Sequence, residues 1–71
     1  MAEMVKLRGI SRGYRRGKTF ELTNGHIWEQ TSHRYVYSYH YRPEAELERF
    51  GVRSRIRIKG MSDWVDVKRV R

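Results

Sequence analysis

From Lys18 to Val70 the apolar and polar residues alternate mostly with a period of two, the mark of strands with one buried face. Lys18–Thr23 sets Phe20 and Leu22 against Thr19, Glu21 and Thr23, and Asn24-Gly25 separates it from His26–Thr31. Asn-Gly between two such runs predicts a hairpin, because both central residues of a two-residue loop need positive φ. That loop length sets Leu22 opposite Ile27 and Glu21 opposite Trp28. Ser32-His33 predicts a second tight turn into Arg34–Arg42, where Tyr35, Tyr37, Tyr39 and Tyr41 fall at every second position and share one face.

Residues 43–50 admit two readings. Pro43 at a first turn, followed by three glutamates and Leu47, fits a short helix, which would make the domain OB-like. A strand is the alternative, and a register test decides for it. Pairing it with Arg53–Lys59 around Phe50-Gly51-Val52 so that Leu47 opposes Ile56 also sets Ala45 against Ile58. The other face then matches Glu44, Glu46 and Glu48 with Lys59, Arg57 and Arg55. Each exposed pair stabilises by only about 0.2–1 kcal/mol, but both faces demand the same register.

Gly60–Asp63 reads as a turn and Trp64–Val70 as a last strand. Five or six short strands separated by turn signals predict an all-β fold, a small antiparallel barrel over residues 18–71. In residues 1–17, Gly9, Gly13 and Gly17 lie among arginines, and the apolar residues follow neither period. This segment is expected to be a flexible basic arm, at most with a short edge strand at Val5–Arg8.

The string Phe20-x-Leu22-x-Asn24-Gly25-x-x-Trp28-x-Gln30, with Tyr39-x-Tyr41-x-Pro43-x-Ala45-x-Leu47, Gly60 and Val65-x-Val67-x-Arg69-Val70, resembles a family of small bacterial β-rich domains of mostly uncharacterised role. The resemblance spans roughly residues 18–70. It implies an SH3-like (Src-homology-3-type) barrel and carries no catalytic or binding residue.

At 71 residues the chain is one small domain, near the size where a single core just offsets chain entropy. It has no cysteine, and His26, His33 and His40 have a spacing that suits no metal site, so neither metal nor cofactor is expected. No apolar run reaches membrane-spanning length and the N-terminus lacks a secretory-type apolar stretch, so a cytoplasmic protein without membrane insertion is expected.

The net charge of +8 favours a polyanionic partner, nucleic acid first. Residues 1–18 hold six of the sixteen basic side chains against Glu3 alone. The candidate nucleic-acid contacts are Arg12, Arg15, Arg16 and Lys18 in the arm, Arg53 at a turn, and Lys68, Arg69 and Arg71 at the end of the chain. Arg55, Arg57 and Lys59 are taken as neutralised by the glutamates across from them, leaving Arg53 free.

Trp28, Tyr37 and Trp64 are the candidate aromatic contacts. Four tyrosines in a ladder could stack single-stranded bases, or could wall the core with their hydroxyls at the rim. Unbroken parity from Tyr35 through Pro43 to Ala45 and Leu47 predicts the wall, whereas the Ser32-His33 turn predicts the opposite face. The wall is the reading adopted.

No nucleophile–base pair, phosphate-cradling glycine loop or metal-ligand spacing appears, so no catalytic residue and no small-molecule substrate are expected. The expectation is a non-catalytic module binding nucleic acid with weak specificity through the arm and adjacent barrel. A protein partner or self-association is the alternative.

Overall fold

The structure, a computed structural model, describes residues 2–71. It is all-β, with eight strands: six within residues 18–71, as expected there, and two more within residues 2–17. They are β1 (Ala2–Lys6), β2 (Ile10–Tyr14), β3 (Thr19–Glu21), β4 (Ile27–Gln30), β5 (Val36–Tyr41), β6 (Glu44–Phe50), β7 (Arg53–Ile58) and β8 (Val65–Arg69). The helix weighed for 43–50, and the OB-like variant that needed it, give way to β6. All pairings are antiparallel: a six-stranded sheet in the order β1-β6-β7-β8-β4-β3 and a two-stranded ribbon, β2–β5.

The sheet curls until its two edges meet. Leu7, just after β1, bridges Leu22, just after β3. Arg8 N–H donates to the Glu21 carbonyl at 2.8 Å and Thr23 N–H to the Lys6 carbonyl at 2.9 Å. Such closure leaves little unpaired edge. Inside lie Leu7, Leu22, Leu47, Ile56, Ile58 and Val65 with Phe20 and Trp28, all buried. Full burial of each large aliphatic side chain contributes about 1.5–3 kcal/mol.

β6 and β7 pair in the register expected, with Ala45 on Ile58, Leu47 on Ile56, Glu46 on Arg57 and Glu48 on Arg55. Arg55 Nε donates to Glu48 at 2.6 Å, and Arg57 pairs with Glu46. The first hairpin departs from expectation by one residue, with Phe20 opposite Trp28 and Glu21 opposite Ile27. Its loop has three residues, Thr23–Gly25, closed by Leu22 N–H to the His26 carbonyl at 2.9 Å. Gly25 takes φ 91° there, and the Asn24 side chain accepts from His26 N–H at 2.9 Å. A three-residue loop with a left-handed glycine competes with the two-residue turn for the same Asn-Gly dipeptide. The shift puts Trp28 in the core and Ile27 on the outer face. Thr31–Tyr35 is a five-residue connection rather than a tight turn, and β4 pairs with β3 and β8, not β5.

Residues 2–17, expected as an arm outside the barrel, supply β1 on the sheet and β2 on the ribbon. Two bent segments run antiparallel, β1 into β2 and β5 into β6. Their bends face each other: Arg42 N–H donates to the Gly9 carbonyl at 2.7 Å and Leu7 N–H to the Pro43 carbonyl at 2.9 Å. Arg42 sits at φ 46°, a left-handed conformation disfavoured for a residue with a Cβ. The odd-numbered positions therefore change sides here. Tyr41 points outward whereas Ala45 and Leu47 point inward, and the parity argument for a buried ladder fails at this residue.

Candidate nucleic-acid interface

Tyr35, Tyr37, Tyr39 and Tyr41 are 68%, 63%, 57% and 70% exposed. The residues between them, Val36, Ser38 and His40, face inward and are half-buried. Tyr14, the fifth tyrosine, is buried and pins the ribbon to the sheet. Its hydroxyl donates to the Asp63 carbonyl at 3.0 Å and accepts from Ile58 N–H at 2.9 Å. Burial, foremost, pushes its phenol above the ordinary 10.0, reinforced by the nearby Asp63 charge and opposed by the Ile58 hydrogen bond.

A bulge aligns the ribbon's outer face. Between the pairs Ser11–His40 and Gly13–Tyr37, β2 supplies Arg12 alone while β5 supplies Ser38 and Tyr39. Gly13, at φ 96°, lets the two backbones close up, since a Cβ there would lie 1.9 Å from the Val36 carbonyl oxygen. The result exposes Arg12 beside the ladder and turns Tyr14 inward.

Arg12, Arg15 and Lys18 meet Tyr35 and Tyr37 around a cleft of about 210 Å³, floored by Tyr14. That is below the ~300–1,000 Å³ usual for a small-molecule pocket. None of the three cations, nor Arg16, makes an ion pair among the described residues. Burial, then the charges of Arg15 and Arg12, hold the Lys18 ammonium below its ordinary 10.5. This is a cationic site without a protein anion. Gln30, buried under it, accepts from Arg15 N–H at 2.9 Å and donates to the carbonyls of Ser32 at 3.1 Å and Arg34 at 2.8 Å.

Charge is segregated over the whole fold. All eight carboxylates lie on the six-stranded sheet or on the loop between β7 and β8; residues 4–20 and 30–43 contain none. The ribbon and the segments next to it carry Arg8, Arg12, Arg15, Arg16, Lys18, Arg34 and Arg42, of which Arg34 pairs with Asp63 of the β7–β8 loop at 3.5 Å.

The other sequence candidates distribute differently. Arg16 and Lys68 line a shallow neighbouring groove, with Arg16 Nη1 3.1 Å from the His33 ring and Lys68 3.7 Å from Glu29. Arg53, expected to be free, pairs with Asp66 at 3.6 Å. Arg69 and Arg71 do not line the cleft; Arg69 Nε donates to the Arg71 carbonyl at 3.0 Å. Trp28, a candidate contact, is core at 4% exposure with Arg49 over its ring at 5.4 Å. Trp64 is half-buried, with the guanidinium groups of Arg55 and Arg57 at 4.3 and 4.9 Å from its ring. Tyr37 alone of the three aromatic candidates belongs to the cleft. Tyr35 and Gln30 were missed: parity assigned the first to the core wall, and a glutamine in a strand ordinarily reads as solvated.

No family model, curated protein or solved structure matches the chain.

Proposed function

We propose that this protein is a non-catalytic β-barrel module that binds nucleic acid with weak sequence specificity through the ribbon face. One observation carries the reading: Arg12, Arg15 and Lys18 converge without a carboxylate partner beside the exposed rings of Tyr35 and Tyr37. A phosphate in the cleft would offset the repulsion that Arg15 and Arg12 add to burial in holding Lys18 below its ordinary value, and Arg12 and Arg15 offer forked donors to phosphate oxygens. The lining presents cations and phenols rather than an acid–base pair, which suits binding more than turnover. Weak specificity follows from the chemistry, because phosphate contacts position a strand without reading its sequence.

Titration of a fluorescein-labelled oligonucleotide by anisotropy tests this. Affinity is expected to fall linearly on log–log axes with salt, at a slope near −0.7 to −0.9 per neutralised phosphate. The triple variant Arg12→Gln, Arg15→Gln, Lys18→Gln is expected to flatten that slope by about two to three. Absence of binding at low salt, or an unchanged slope in the triple variant, overturns the proposal.

A further inference from the structure

Building on that reading, we infer that the ligand is an extended single strand, DNA or RNA, whose unpaired bases stack on the tyrosine ladder formed by Tyr35 and β5. The ladder is a row of four aromatic side chains, each more than half exposed: Tyr37, Tyr39 and Tyr41 on β5, whose opposite side faces the fold, and Tyr35 in the connection just before it. Aromatic exposure on this scale marks an interaction surface in a soluble domain.

The spacing selects the ligand. Alternate residues on a strand lie about 6.7 Å apart, roughly twice the ~3.4 Å rise per nucleotide of a duplex strand. In a duplex the base faces are covered by their neighbours and only groove edges and phosphates are offered. A single strand drawn out to about the pitch of the ladder can lay one base against each ring. Tyr37 to Tyr41 spans about 13 Å on the same rise, and with Tyr35 just before the strand the row has room for about four nucleotides, the lower end of the site sizes of small β-barrels that hold single strands.

Charge complementarity fixes the occupant as nucleic acid rather than an apolar peptide or a second copy. Strands β2 and β5 themselves carry no carboxylate, and Asp63, which reaches this side from the β7–β8 loop, is paired with Arg34 at 3.5 Å. Arg12 projects from β2 across from Ser38 and Tyr39, and Arg15 and Lys18 sit at the Tyr35–Tyr37 end. Phosphates would run along these cations while bases turn to the rings. A second copy of the same face would bring the two cationic clusters together.

A labelled ten-residue oligothymidylate, a ten-residue oligouridylate and a duplex of the same length are to be compared by anisotropy at low and physiological salt. At least one single strand is expected to bind tenfold or more tightly than the duplex. Tyr37→Ala and Tyr39→Ala should each weaken single-strand binding by about fivefold or more while leaving the salt slope unchanged, because a ring carries no charge. Both side chains are exposed, and coincident thermal melts would show that the fold is retained. Duplex binding as tight as single-strand binding, or alanine variants of undiminished affinity, overturns the ladder's role and leaves the phosphate-binding proposal standing. No binding of any of the three overturns both. Self-association at micromolar concentration that is abolished by Tyr37→Ala and undisturbed by oligonucleotide assigns the ladder to a dimer and overturns the inference.

Discussion

The side-chain carbonyl of Gln30 accepts a hydrogen bond from the backbone N–H of Arg15 at 2.9 Å, tying strand β4 to one wall of the cleft. Its amide nitrogen donates to Ser32 and Arg34, the loop that delivers Tyr35 on the other wall. Gln30→Leu would leave three partly buried backbone groups without their partner and should lower stability by about 1–3 kcal/mol. Gln30→Glu keeps the acceptor but turns two donated bonds into carboxylate–carbonyl repulsion, so it should also destabilise. Urea denaturation measures both; unchanged midpoints would mean that water replaces the amide.

Tyr14→Phe removes the hydroxyl shared by Ile58 N–H and the Asp63 carbonyl, and about 1–3 kcal/mol should be lost. The pH dependence has a definite sign. The folded-state phenol titrates above 10.0, so the unfolded chain ionises first. This contribution to stability is complete below pH 10.0 and is lost as pH rises through the folded-state value. Denaturation midpoints followed from pH 9 upward should fall in the native protein, and that component should vanish in Tyr14→Phe.

Lys18 carries a charge that works against the fold. Its depressed value means that its charge destabilises the folded state at neutral pH, with relief as pH rises past the folded value toward 10.5. Lys18→Met should raise stability by only a few tenths of a kcal/mol, since solvent screens the partly exposed ammonium, while weakening oligonucleotide binding. Thermal melts and anisotropy on the same variant check the two halves; lower stability together with unchanged binding would refute the assignment.

Arg42 holds its left-handed φ against its own preference, at a cost on the order of 1–3 kcal/mol. Arg42→Gly should be neutral or stabilising, whereas Arg42→Val, β-branched, should lose about 1–2 kcal/mol. Equal midpoints for the two variants would count against strain at this corner.

The parts of the fold that were legible are those where two independent constraints coincide. On β6–β7 the apolar pairs and the Glu–Arg pairs each demand the same register, so neither could mislead. The Asn24-Gly25 hairpin was legible as a hairpin but not in register, because one dipeptide serves loops of two and three residues. The ladder's face was hidden by a single residue, since an arginine before proline carries no sign that it will take positive φ. β2 was hidden for a similar reason: at Gly13–Tyr14 the bulge breaks the alternation by which a strand is known. The cations of the cleft stood out by their lack of acidic neighbours. Of their tyrosine partners Tyr37 was a candidate and Tyr35 was not, because the pairing of Gly13 with Tyr37 that brings this end of the ladder to the cations is set by closure of the whole fold and by no local signal.

The separation of carboxylates from the ribbon makes the protein an oriented object before it touches anything. Its extents are 30 × 26 × 20 Å, two to four times the ~8–10 Å Debye length at physiological ionic strength. In dilute buffer a polyanion would feel both the excess charge and its asymmetry, and would turn the molecule ribbon-first during approach. At physiological salt that torque operates only over the last nanometre. Encounter rates with a polyanion should therefore fall steeply as salt is added.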